Sequence, residues 1–159
     1  MNPSGHPEPQ LDSLYQEVIL DHNRRPRNFK LLEHPTQYCH GLNPLCGDEY
    51  HLYLIVDKAA QIVTDVGFQG QGCAISKASA SIMTSEIKGK PVKEAISLKD
   101  AFIDMLTKDS ISSAQKEKVG RLSMFEGVKE FPIRVKCATL AWRALEDALK
   151  GVSEHEEKP

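Results

Sequence analysis

Cys46 and Asp48 stand two residues apart in the stretch Asn43-Pro44-Leu45-Cys46-Gly47-Asp48, between two strand-like segments. Pro44 fixes its own φ and pushes Asn43 towards an extended backbone, while Gly47 tolerates angles that a Cβ would forbid. The thiol and the carboxylate can therefore face one point as two ligands of a divalent metal. Zinc accepts both types at ~2.0–2.3 Å in tetrahedral geometry. Two ligands are not a site, and taken alone this loop also reads as a turn with a buried cysteine and a solvated aspartate. The other cysteines are Cys39, Cys73 and Cys137, and no C-x-x-C pair is present, so any metal site must be assembled by the fold.

The elements that would bring these residues together follow from hydrophobic pattern. Met1 to Gln10 carries prolines and no apolar period, and is read as a flexible tail. A helix is predicted from Leu11 to about His22, capped by Asp12 or Ser13, with Leu11, Leu14 and Val18 on one face. Arg24-Arg25-Pro26-Arg27 then breaks it and makes a basic patch, read as a solvated turn or as a partner contact. Strands are predicted over 36–42, 50–56 and 61–68, the Cys46 loop joining the first two. Three strands on short loops make an antiparallel meander with one face to bury under helices, an α+β fold.

Gly70-Gln71-Gly72 ends the sheet and places Cys73 at the start of a helix. Free amides and the helix dipole there favour a thiolate, the form that binds metal or attacks sulfur; a small buried residue at a helix start is the alternative. A short helix from Pro91 to near Ser97, a second one to about Thr107 and a weak one over 114–125 follow. The last long helix runs from Phe131-Pro132 to Lys150, with Cys137 in its first turns and Val135, Ala138, Trp142, Leu145 and Leu149 at alternating spacings. The charged stretch 151–159 is read as a frayed tail, leaving one domain over 11–150.

Composition narrows the classes. With 20 Lys and Arg against 22 Asp and Glu, the net charge of −2 gives no global field for nucleic acid or an anionic membrane. No apolar run approaches the ~20 residues that span a bilayer, so a cytoplasmic protein is expected. Four cysteines in 159 residues are too sparse for a disulfide framework, and point to metal or sulfur chemistry in a reducing compartment.

Pro26-Arg27-Asn28, the Asn43 to Asp48 stretch, Gly72-Cys73-Ala74-Ile75-Ser76 with Ala78-Ser79-Ala80-Ser81, and Lys136-Cys137-Ala138-Thr139-Leu140-Ala141-Trp142 occur in this order. On these pieces the chain resembles the IscU/SufU/NifU N-terminal family of iron–sulfur cluster assembly proteins. It is most similar to the SufU branch. Lys136 stands where scaffold members carry a histidine, Glu130-Phe131-Pro132-Ile133-Arg134 lacks the Leu-Pro-Pro-Val-Lys motif, and extra sequence lies within about 107–125. The resemblance implies a zinc site from Cys46, Asp48, Cys73 and Cys137. It further implies a role accepting persulfide sulfur from a SufS-type cysteine desulfurase, with delivery to a downstream iron–sulfur assembly scaffold. The residue chemistry agrees, since three thiolates and one carboxylate suit a tetrahedral zinc and disfavour magnesium or calcium. Cys39 reads as a buried strand residue, and His40 and His51 as supporting donors or substitute ligands ranked below Asp48.

Three functions remain in play. A zinc-dependent sulfurtransferase would use Cys46 as acceptor, because a loop leaves the metal more easily than helices carrying Cys73 and Cys137; the resemblance implies that a desulfurase histidine fills the vacated position. A scaffold would build a [2Fe-2S] cluster on the same ligands, since iron and zinc share thiolate chemistry. A binding module would use the zinc only structurally.

Overall fold

The computed structural model describes residues 9–157, with side chains from residue 15 onward. In chain order the elements are α1 (Pro9–Arg24), β1 (Gln37–Asn43), β2 (Asp48–Asp57), β3 (Ile62–Gln71), α2 (Ala74–Ile87), α3 (Val92–Thr107), α4 (Ser113–Val119), a 3₁₀ segment (Gly120–Glu130), α5 (Pro132–Leu149) and β4 (Glu154–Glu156). The period of two in β2 decides the faces: Asp48, Tyr50, Leu52, Leu54 and Val56 are buried. β1 and β2 pair antiparallel with Asn43 opposite Asp48, and β3 pairs antiparallel on the other side of β2. On the buried face α5 lies along β1 and β2, and α2 along β3. Gly41 lets α5 close in, since a Cβ there would stand 3.3 Å from Ala144 Cβ.

Trp142 of α5 is wholly buried, stacks on Phe102 of α3 at 4.8 Å and donates its indole N–H to Ser79 Oγ at 3.1 Å. Ser79 in turn donates to the Ala138 carbonyl at 2.6 Å, so three helices meet with their buried polar atoms satisfied. The small run Ala78-Ser79-Ala80-Ser81 is buried and lets α1 and α5 approach α2. Ser81 Oγ also bonds His22 Nδ1 at 2.7 Å and accepts the Arg27 N–H at 2.8 Å. Burial, with Arg27 and Arg121 nearby, lowers the His22 pKa to about 4, so this ring is neutral. The Pro26-Arg27-Asn28 turn is thus fastened to α2, and the Asn28 carbonyl accepts the Phe68 N–H of β3 at 3.0 Å.

The expected α+β architecture holds, with helices on one face of an antiparallel sheet, but several expectations change. The sheet has four strands in the order β3-β2-β1-β4, and the fourth comes from the stretch read as a frayed tail. It runs parallel to β1, His40 N–H donating to the Ser153 carbonyl at 2.8 Å and Glu157 N–H to the Leu42 carbonyl at 2.7 Å. The two helices expected on either side of Ser97 are one, because Ala95, Leu98, Phe102 and Met105 form an unbroken apolar face. At the other end α1 begins at Pro9, so Asp12 and Ser13 lie inside the helix instead of capping it. The remainder of the assigned N-terminal tail, residues 1–8, and the side chains of Leu11 and Leu14 lie outside the described residues.

β4 is held by two histidine brackets. His40 lies between Glu49 of β2 and Glu154 of β4, at 2.8 and 3.0 Å, and stacks on His51. His155 lies between Asp147 of α5 and Glu157, both at 3.0 Å. Burial works against the charge on His40, but Glu49 and Glu154 outweigh it and raise the pKa. For His155 the Glu157 bond raises the pKa, against burial and with help from Asp147. A histidine raised on folding gives stability that is complete below its unfolded pKa of ~6.5 and is lost as pH rises through the higher folded value. Amide protection at Glu154–Glu156, corrected for intrinsic exchange, is therefore expected to fall between about pH 6 and about pH 9 while that of Leu52–Leu54 holds. Equal protection of β4 at both ends of that range would remove the brackets' role.

Candidate metal centre

The β1–β2 turn is tight because the Asn43 carbonyl accepts N–H groups from both Cys46 (3.3 Å) and Gly47 (2.9 Å), and Asn43 Oδ1 accepts from Leu45 (3.2 Å). Gly47 takes φ +73°, the left-handed region where a side chain is strained. Cys46 is exposed on this turn. Asp48, expected to share the loop, is instead the first residue of β2 and is wholly buried. Its Oδ1 accepts the Cys73 N–H at 2.9 Å, and its Oδ2 is buried without a partner among the described residues. A buried carboxylate oxygen left so is costly unless a cation or donor meets it.

Cys73 caps the N-terminus of α2: its Sγ accepts the Ser76 N–H at 3.4 Å, and Ser76 Oγ donates to the Cys73 carbonyl at 3.1 Å. Cys137 comes from α5, buried, with its Sγ 3.6 Å from Cys46 Sγ. Cys46, Asp48 and Cys137 each place a ligand atom within 4.8 Å of the other two. Cys73 stands beside this trio, its thiol bonded to that of Cys137. That bond from Cys137, against burial and aided by the Ser76 amide, lowers the Cys73 pKa to about 6. The same bond and burial push Cys137 up, so Cys73 is the thiolate and Cys137 keeps the proton. Three clustered thiols and a carboxylate with a free oxygen fit a divalent cation of zinc type, which binds by replacing thiol protons.

The other sequence candidates lie elsewhere. His40 and His51 stack on each other at 4.6 Å on the opposite face of the sheet, with His51 bonded to Tyr38, because His51 is three residues beyond Asp48 in β2 and His40 is its partner directly across in β1. Cys39 is buried in β1 and raised to about 12 by burial, with Asp147 and Glu154 adding to it, which makes it inert. Of the basic patch, Arg27 and Arg25 share the Asp21 carboxylate at 2.6 and 2.8 Å and pull its pKa down to about 2.

In the sequence Gly72 marks the end of the sheet and opens the Gly72–Ser76 stretch; how closely the cluster's neighbours pack around it appears only in the structure. A Cβ there would stand 2.4 Å from Ser76 Oγ, 2.5 Å from the Tyr50 hydroxyl and 2.7 Å from Asp48 Oδ1. Gly72→Ala is expected to weaken metal binding ~10–100-fold, the usual cost of disturbing groups that orient ligands. Competition titration with a chromophoric chelator measures this, and unchanged affinity would refute the crowding argument.

A helix-backed sheet with thiols and a carboxylate gathered where one β-turn meets two helices defines a small α+β protein with a candidate thiolate–carboxylate metal centre. The chain belongs to the NifU-like N-terminal domain family, that of IscU and SufU, whose model matches residues 14–158. It is 43% identical to the zinc-dependent sulfurtransferase SufU of Bacillus subtilis over 150 residues, covering 92% of this chain and 94% of that one. To the iron–sulfur cluster assembly scaffold protein IscU of Streptococcus pyogenes it is 40% identical over 141 residues, 89% and 86% of the two chains. The crystal structure of FiSufU from Fervidobacterium islandicum AW-1 superposes with a TM-score of 0.78 at 34% identity, over 86% of this chain and 97% of that one.

Proposed function

We propose that this protein works in iron–sulfur cluster assembly as a zinc-dependent sulfur acceptor, with Cys46, Asp48, Cys73 and Cys137 as the zinc ligands. The observation that carries the reading is an asymmetry within the cluster. Cys46 is exposed on a four-residue turn between β1 and β2, its thiol bonded among the described residues only to that of Cys137. By contrast Asp48 is locked into a strand, Cys137 is buried in α5, and Cys73, though exposed, is tied by its N–H to Asp48 and by its Sγ to the first turn of α2 as the N-cap. When bound, zinc supplies charge neutralisation that keeps the thiols ionised among one another. The chain's part is to present one releasable thiolate. Cys46 attacks the outer sulfur of a persulfide on a cysteine desulfurase; the persulfide S–S bond breaks, the desulfurase cysteine leaves as a thiolate, and Cys46 holds the new persulfide. No net oxidation occurs.

Leu45, Phe131 and Ile133 are large apolar side chains exposed on the Cys46 turn and at the start of α5, and a desulfurase seated there would exclude water from the exchange. Likeness to the zinc-dependent sulfurtransferase SufU of Bacillus subtilis supports the zinc and the transfer, and the donor in this reading is a SufS-type enzyme. No helix of the described residues is long and apolar enough to cross a membrane, in keeping with work in the cytoplasm beside that enzyme and a downstream scaffold. Likeness to IscU of Streptococcus pyogenes favours the second reading, in which a [2Fe-2S] cluster is built on the same ligands. Anaerobic purification with metal analysis and a visible spectrum separates the two. The sulfurtransferase predicts colourless protein with about one zinc per chain, and the scaffold predicts brown protein with iron and sulfide.

A further inference from the structure

Resting on the zinc-site reading, we infer that Tyr50 is a positioning residue, whose hydroxyl braces β2 against the first turn of α2 and so fixes Asp48 and Cys73 as one rigid pair of ligands. Tyr50 follows Asp48 by two residues and points to the same buried face. Its hydroxyl is 2.9 Å from Ser76 Oγ. Ser76 has one hydroxyl proton, and that proton is given to the Cys73 carbonyl. Tyr50 must then be the donor to Ser76.

The bonds close a ring. Asp48 Oδ1 takes the Cys73 N–H, Cys73 Sγ takes the Ser76 N–H, Ser76 takes the Tyr50 O–H, and Tyr50 returns along β2 to Asp48. Two crossings between strand and helix, one at each ligand's own residue or one turn further on, prevent the helix start from pivoting against the strand. The ring also dictates which oxygen of Asp48 is free. Oδ1 is occupied by the Cys73 amide, so Oδ2 is the oxygen left for a metal. Gly72 is where the ring closes most tightly, since three of its oxygens crowd the position of the missing Cβ. With Asp48 and Cys73 immobile, displacement by an incoming sulfur falls on the Cys46 turn.

The test uses the full chain loaded with cobalt, whose absorption reports the thiolate ligands directly. Tyr50→Phe, which keeps the ring and its packing on Phe68, and Ser76→Ala are each expected to release cobalt to a chelator about 10-fold faster and to alter the cobalt–thiolate band. The double variant is expected to do no more than Ser76→Ala alone, because that change already removes the bond that Tyr50→Phe removes. Ser76→Thr, which restores a hydroxyl, is expected to release cobalt at the original rate. Should Tyr50→Phe misfold, Ser76→Ala carries the test. Release rates unchanged in both variants, effects that multiply in the double, or an equal loss of metal-free melting temperature that accounts for the change would overturn the bracing role. Unaltered chain that takes up no cobalt would instead overturn the zinc-site reading, and this inference with it.

Discussion

Cys46→Ser is expected to reduce sulfur uptake from a cysteine desulfurase by about a hundredfold or more, because a serine hydroxyl forms no persulfide and the nucleophile is lost outright. The fold should survive, since the side chain is exposed on a turn and belongs to no core cluster. The remaining cysteines cannot substitute. Cys137 is buried in α5; Cys39 is inside the sheet with a pKa of about 12. Cys73 is the ionised one, yet its sulfur accepts a helix amide and its own N–H is spent on Asp48, so using it would unmake the cap of α2. The measurement is a single turnover with desulfurase and cysteine, alkylation, and mass spectrometry of the peptides. Additional sulfur carried mainly by Cys73, or uptake undiminished in the serine variant, would show that another thiol is the acceptor.

Removing zinc is expected to lower the melting temperature by ~8–16 °C. A ligand present at 1,000 times its dissociation constant stabilises by ~4.1 kcal/mol, and a chain of this size shifts by roughly 2–4 °C per kcal/mol. The loss has a local cause. Without a cation the Asp48 Oδ2 is a buried oxygen with no partner among the described residues, and the clustered thiols cannot all be ionised together. It should stop short of unfolding, since the Trp142, Phe102 and Ser79 assembly joins α2, α3 and α5 independently of the cluster. Calorimetry before and after verified chelation, then with zinc restored, measures it. An identical melting curve throughout would mean that the four residues hold no metal that matters to the fold.

Much of this architecture was legible because its signals are periodic. The alternation in β2 and the three–four spacing in α5 depend on burial alone, and the Gly72-Cys73 boundary marks a strand giving way to a helix. What was lost has physical reasons. Glu154-His155-Glu156 carries no apolar residue; it becomes a strand through pairing to β1 and through partners more than a hundred residues away, none of them visible in local pattern. Ser97 and Asp100 resemble a helix start, but the apolar face running through Ala95, Leu98 and Phe102 overrides the capping preference. His40 and His51 were weighed as ligands for nearness in sequence, although strand parity sends them to the far side. The same parity, counted from Asp48, would have picked out Tyr50.

The short fourth strand also decides what the β1 margin of the sheet presents to its surroundings. One margin of the sheet is screened where Phe68 donates to the Asn28 carbonyl and the Lys30 carbonyl lies against Gly67, and the other is screened by residues 153–157 along β1. The β1 margin and part of the β3 margin are thereby covered, which leaves the three-residue β4 as the edge on the β1 side. Three residues are the shortest means of closing such a margin, and two of them, Glu154 and Glu156, are charged and exposed, which repels a neighbour seeking the same seat. Exposed charge on Glu154 and Glu156 disfavours the addition of a further strand at this edge, so a tag or truncation at 154–157 is expected to act on solubility before it acts on the cluster.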